Sequence, residues 1–366
     1  MRVFHCDHCG QLLFFENTQC LSCGRQVAYL PDLKVVGSLD RVQDGWRSPL
    51  PRAGELYRLC GNYTAHQVCN WAIPDVEADD LCLSCRLTRV IPDLDVPGHR
   101  EAWYRLEVAK RRLVVTLLAL GLPLVSREND PEHGLSFEFK ANPLDPAQPH
   151  VLTGHARGVI TLNVAEADDA ERERRRTSMH EPYRTLLGHM RHESGHHYWD
   201  LLVSDRAPLE EFRRLFGDER RDYGDALHAH YANGAPHDWQ QRFVSAYASA
   251  HPWEDWAETW AHYLHMVDTL ETASACGVSL RPARRDEPSL PAPPPSTPSR
   301  TPFDDLIDSW FPLTYALNNL NRGLGLADAY PFVLSTPALD KLRFVHELVA
   351  SSRDSRRTAE DRRLAG

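Results

Sequence analysis

Two Cys-x-x-Cys pairs, Cys6/Cys9 and Cys20/Cys23, constrain this chain more than any other feature. They stand ten residues apart, and a glycine (Gly10, Gly24) directly follows each. A turn of this kind can aim two thiolates at one ion, and two such turns complete a closed, tetrahedral four-cysteine zinc site. The surrounding chain must then fold as a small ribbon. A redox dithiol or a disulfide is the alternative chemistry. Cys60, Cys69 and the pair Cys82/Cys85 form a less regular second set, read as a second structural zinc site, with His66 as the substitute ligand if a single cysteine drops out. Cys276 remains as a free thiol.

The chain enters the first cysteine motif almost at once, which leaves no room for a secretory signal peptide. The expectation is a cytoplasmic protein whose nine cysteines are metal ligands or free thiols. The 366 residues exceed one ordinary core, so two or three units are expected. A net charge of -10 argues against a broad nucleic-acid or anionic-membrane surface. Residues 1–92 hold nine Lys/Arg against ten Asp/Glu, so the ribbons lack the basic stripe of a nucleic-acid binder. A protein partner or a purely structural role suits them better. The apolar stretch Leu113 to Val125 is too short to span a bilayer and reads as a buried helix.

Periodicity organises the remainder. Trp103, Leu106, Leu113, Leu117 and Leu120 recur at helical steps over about 97–121. Residues 135–140 alternate as a half-buried strand does, and 158–164 form a second strand candidate. The charged run 168–176 reads as a solvated helix or loop. A long helix is expected from near Pro182 to about Val203, a shorter one over 239–249, and a third over the segment 251–272. Residues 281–302 read as an extended Pro-rich linker, followed by a helical unit and, after Ser351, a disordered charged tail.

The chemistry concentrates in His192-Glu193-Ser194-Gly195-His196. On a helix, positions i and i+4 share a face, so His192 and His196 can hold one zinc ion. Glu193 then stands beside the metal as general base and acid for a zinc-activated water. A catalytic zinc needs a third protein ligand, and the segment from His251 to His262 is the best supplier. Glu254, Glu258, His262 and His265 fall on one helical face, where burial without a partner such as a metal would be costly. Glu254 and Glu258 both stay open as that ligand. His189 reads as an ordinary packed or surface histidine, and Asp200 as a surface residue, with orientation of the His196 ring as its alternative role.

These residues resemble known families. A histidine-pair motif with a glutamate on a later helix is the gluzincin pattern, and Glu254-x-x-Ala257-Glu258-x-Trp260 is similar to the glutamate helix of lethal-factor-type metalloproteases. That resemblance implies Glu254 as zinc ligand, Glu258 as support for a zinc-bound histidine, and Tyr247 as the group that stabilises the oxyanion. Over most of its length the chain is similar to a bacterial zinc-binding metallopeptidase family with an N-terminal zinc ribbon. Cys69-Asn70-Trp71, Cys82-Leu83-Ser84-Cys85-Arg86, the segments 191–200 and 251–258, residues 317–322 and Tyr330-Pro331-Phe332 carry that similarity.

The fold most consistent with these features is α+β: tandem zinc ribbons over 1–92, a zincin-like unit over 93–272, a Pro-rich linker over 273–302 and a helical segment with tail over 303–366. One catalytic and two structural zinc ions are expected; the family resemblance implies peptidase chemistry on a peptide or protein but does not say which. The alternative is an inactive adaptor that recruits a protein partner, but such a protein would not need Glu193.

Overall fold

The computed structural model describes residues 3–365 except 52, 53, 55, 144, 146 and 179–184, with backbone alone for 173, 175–178 and 357–365. Strands β1 (Phe4–His5) and β2 (Leu12–Leu13) pair as a hairpin that carries the first knuckle. The amides of Gly10 and Gly24 each donate to the carbonyl of the cysteine four residues earlier, Cys6 and Cys20, at 2.8 Å. Their φ angles of 74° and 72° are left-handed, which is why glycine closes both knuckles. Next come β3 (Gln26–Leu30), β4 (Val35–Val42), β5 (Gly45–Arg47), β6 (Tyr57–Leu59) and β7 (Ala72–Pro74), which form one five-stranded antiparallel sheet in chain order. The short helices α1 (Gly61–Thr64) and α2 (Leu83–Arg86) complete the second cysteine cluster. The two clusters are therefore bound into a shared core. Trp71, fully buried, packs on Tyr29 at 4.7 Å between ring centroids, and the Tyr29 amide donates to the Asn70 carbonyl.

Strand β8 (Thr88–Val90) leaves the ribbons and joins a second sheet with β9 (Ser136–Lys140), β10 (Gly154–Ala156) and β11 (Val159–Asn163). Its order is β10-β11-β9-β8, antiparallel only between β10 and β11. The alternation in β9 suggested one solvated face, yet Ser136 to Phe139 are all buried. An inner strand between two parallel neighbours is covered on both sides. Glu138 meets Lys140 at 2.5 Å, and Phe137 and Phe139 pack beneath the Lys110 ammonium.

Helix α3 (His99–Leu120) matches the expected span and forms the floor of the second unit. It buries Glu107, Lys110 and Arg111, of which Arg111 donates to the Val68 carbonyl and so joins the floor to the ribbons. The charged run forms α4 (Asp169–Ser178). Pro182 lies outside the described residues; the next helix, α5, spans Leu186–Leu202, and the Thr185 hydroxyl caps it by accepting from the Gly188 amide. Helices α6 (Leu209–Phe216) and α7 (Tyr223–Asn233) precede α8 (Pro252–Ala275), which has His251 as N-cap and Pro252 in its first turn.

The helix expected over 239–249 is instead two isolated 3₁₀ turns, Trp239–Gln241 and Tyr247–Ser249. Ser245 provides the reason: its hydroxyl accepts from the Ala248 amide, a local bond that competes with helix continuation. The Pro-rich stretch is extended but packed, with Leu290 and Pro298 buried and the Ser299 carbonyl accepting from Arg353. Helix α9 (Phe303–Gly323) and α10 (Thr336–Ala365) close the fold. The stretch after Ser351 was expected to be a disordered tail. It continues α10, since no glycine or proline interrupts its helix-forming Arg, Glu, Ala and Leu. No helix among the described residues is long and apolar enough to cross a membrane.

Candidate metal centre and catalytic cleft

Helices α5 and α8 cross at Gly195. A Cβ there would stand 3.0 Å from the Ala257 Cα and 3.2 Å from the Trp260 Cβ. The Trp256 indole donates to the Gly195 carbonyl at 2.7 Å, and the Trp260 indole to the Ser194 hydroxyl at 3.1 Å. This close crossing brings the first turns of α8 against the histidines of α5. The nitrogen and oxygen atoms of His192, His196 and Glu254 offered to one point lie within 4.8 Å of one another.

Glu258 stands on the far side of His192. Its Oε1 accepts from Nδ1 at 2.7 Å, while its Oε2 accepts from the Ser245 hydroxyl at 2.6 Å. Nδ1 is thereby engaged, and Nε2 is left towards Glu254, 3.0 Å from its Oε2. That short approach lacks hydrogen-bond geometry, and Oε2 is a buried oxygen without a hydrogen-bond partner. Two donor atoms facing one point rather than each other are what a shared cation requires. The other oxygen, Oε1, accepts from the Tyr223 hydroxyl at 2.7 Å.

Burial opposes ionisation of Glu193, Glu254 and Glu258, yet neighbouring imidazoles outweigh it and hold all three carboxyls below their usual range, Glu254 at about 2. For His192, burial favours the neutral ring, but Glu254 and Glu258 reverse this and raise its pKa. Burial leaves His196 lowered. The buried carboxylates of Glu193 and Glu254 and the half-buried one of Glu258 crowd two imidazoles, an excess of negative charge that a dication would relieve. The donor set of two imidazoles and one carboxylate suits zinc with one open position.

A cleft of about 410 Å³ opens above the histidines, lined by β10, Glu193, Trp199, Tyr223, Tyr247 and Trp253 among others. Tyr247 lies in this wall, its ring 6.0 Å from that of His192, and burial raises its hydroxyl pKa. The strand candidate at 158–164 is an inner strand, β11; the edge that lines the cleft is β10. His155 on that edge stacks over His196 at 6.1 Å. Sequence reading missed β10, His155 and Tyr223, because three residues are too few for a periodic signal and Tyr223 arrives from a different helix.

Other expectations need correction. His262 and His265 do not join the site. The His262 Nδ1 pairs with the Tyr330 hydroxyl at 3.0 Å, and the His265 ring stacks on Tyr330 at 5.6 Å. A helix rises about 1.5 Å per residue, which places these rings about 12 and 16 Å along α8 from Glu254. Asp200 makes no described bond to His196; it lies exposed in the cleft wall. His189 bridges two carboxylates, a role its sequence position did not reveal.

Both cysteine clusters assemble as the spacing implies. Cys6 and Cys23 approach to 3.8 Å, and Cys9 and Cys20 to 3.6 Å, between sulfurs. Cys69 and Cys82 lie 3.8 Å apart, and the Cys82 amide donates to the Cys60 sulfur. Cys60, Cys69, Cys82 and Cys85 are buried, and His66 stands apart against Trp103. Burial disfavours the Arg111 cation, but the thiol groups of Cys69, Cys85 and Cys82 together with Glu107 more than offset it and raise its pKa. Cys276 is exposed and free.

Residues 99–348 match the family described as "Putative zinc-binding metallo-peptidase", and residues 3–96 match a zinc-ribbon domain. The chain belongs to this family of zinc-binding metallopeptidases, and its α+β fold is zincin-like, with ribbon clusters before it and helices behind. The uncharacterized proteins Rv2568c of Mycobacterium tuberculosis and Mb2598c of Mycobacterium bovis are each 46% identical to it over 352 residues, 95% of either chain. No solved structure matches it significantly.

Proposed function

We propose that this chain is a zinc-dependent peptidase with His192, His196 and Glu254 as ligands of one catalytic zinc and the two cysteine clusters as structural zinc sites. The observation that carries the reading is the convergence of those three side chains within 4.8 Å, with Glu193 in the wall of the same cleft. Zinc bound there would supply a Lewis acid for the scissile carbonyl and lower the pKa of the attacking water. Glu193, held ionised, takes the proton from that water and returns it to the leaving amine. Tyr247 offers a protonated hydroxyl to the oxygen on which charge develops. Glu258 orients His192 through Nδ1, and Tyr223 orients Glu254. The free edge of β10 offers backbone groups to an extended peptide or protein substrate.

Metal analysis of the purified chain tests the ligand assignment. Three zinc ions are expected for wild type and two for His192→Ala. Two ions in wild type, unchanged by that substitution, would contradict the reading.

A further inference from the structure

Behind Glu193 a chain of polar contacts runs to the substrate edge. The Glu193 Oε1 lies 3.2 Å from His189 Nε2 as an ion pair without hydrogen-bond geometry, and His189 Nδ1 is hydrogen-bonded to Glu166 Oε2 at 2.7 Å. The other Glu166 oxygen accepts from the Thr153 hydroxyl at 2.6 Å, and that hydroxyl accepts from the Asn163 amide at 3.1 Å. Thr153 directly precedes β10 and lines the cleft. We propose that His189 and Glu166 are positioning residues for Glu193, and that through Thr153 they lock this carboxylate to the strand edge that receives substrate. The inference rests on the peptidase reading above.

Two features distinguish this chain of contacts from incidental packing. Glu166 is only 1% exposed, and the ring between it and Glu193 has both nitrogens engaged by carboxylates. The anchor is also stiff. Glu166 lies on the 3₁₀ turn Val164–Ala167, which is capped by the Asn163 side chain, and its carbonyl accepts from Arg172 at 2.6 Å. A general base rotated away from the attacking water loses rate without losing substrate affinity, so such an anchor acts on turnover.

The test uses the full-length, zinc-loaded protein and the peptide it cleaves best from a quenched fluorescent peptide library. His189→Leu removes both contacts and should lower kcat about 10- to 100-fold, with KM within about threefold and zinc content unchanged. Glu166→Gln, nearly the same shape, should lower kcat in the same manner and keeps the test open if His189→Leu fails to fold. His189→Gln retains one N–H donor and should recover part of the lost kcat. The double variant Glu166→Gln/His189→Leu should be no worse than His189→Leu, since both interrupt one chain of contacts. Wild-type kcat in either single variant would overturn the proposal, as would losses confined to KM or zinc content, or no recovery with His189→Gln. A zinc-loaded wild type that cleaves nothing would instead overturn the peptidase reading, and this inference with it.

Discussion

Gly195 of α5 meets Ala257 of α8 with no room for a side chain, a Cβ on the glycine falling 3.0 Å from the Ala257 Cα. The helix of the histidines and the helix of the glutamates touch backbone to backbone at this point. The distance between His196 and Glu254 is set there.

Widening this crossing should therefore cost metal before it costs fold. Gly195→Ala gains about 1 kcal/mol of helix propensity but loses about 1–3 kcal/mol to overpacking. Gly195→Val loses more. Zinc analysis should give two ions per chain for Gly195→Val, with the ribbon sites still loaded. Three tightly held ions would show that the crossing tolerates the separation.

The two glutamates of α8 should separate by role. Glu254→Gln removes a proposed ligand and should abolish tight zinc binding at the histidines. Glu258→Gln replaces the charged acceptor of His192 Nδ1 with a neutral amide and should weaken zinc by about 10- to 100-fold. Competition with a graded series of chelators measures both. The reverse order would make Glu258 the ligand.

Lys341 of α10 reaches Asp255 of α8 at 2.6 Å, and both side chains are buried. Burial raises the Asp255 carboxyl to about 7 even though Lys341 lowers it. Lys341→Met should cost about 3–5 kcal/mol, because an unpaired carboxylate is left inside. Asp255→Asn combined with Lys341→Met should recover most of that loss. Urea unfolding of the two variants decides the matter.

Acid should weaken the fold through His262 and His265. Burial holds their pKa values at about 4 and about 3, below the value of about 6.5 expected when unfolded. Below that value the unfolded chain binds protons that the folded chain excludes. Their stabilising effect is therefore complete above about pH 6.5 and is lost as pH falls towards 4, by up to about 2 kcal/mol each at pH 5. The His262→Gln/His265→Gln variant should lose less stability than wild type between pH 7.5 and 5 in urea titrations. An equal loss would mean that other groups govern the acid response.

What could be read in the sequence was what local spacing encodes. His192 and His196 sit one helical turn apart, and each Cys-x-x-Cys is one tight turn, so their convergence needed no tertiary knowledge. Glu254 was recognisable as one of two candidates, since helix periodicity gives a shared face but not the position along the axis at which α5 crosses. His262 and His265 share that face, but their height along α8 takes them to Tyr330 instead. The three-residue edge β10 and the Thr153–Glu166–His189 connection depend on packing between segments distant in sequence, which no local pattern encodes.

Glu193→Gln is the most informative single substitution. The amide nearly preserves the shape of the carboxylate but cannot act as a base. Zinc peptidase chemistry requires that wild type cleave members of a peptide library and that Glu193→Gln keep three zinc ions and wild-type stability while losing hydrolysis by at least about 100-fold. Equal hydrolysis by wild type and Glu193→Gln, both fully metal-loaded, would contradict it.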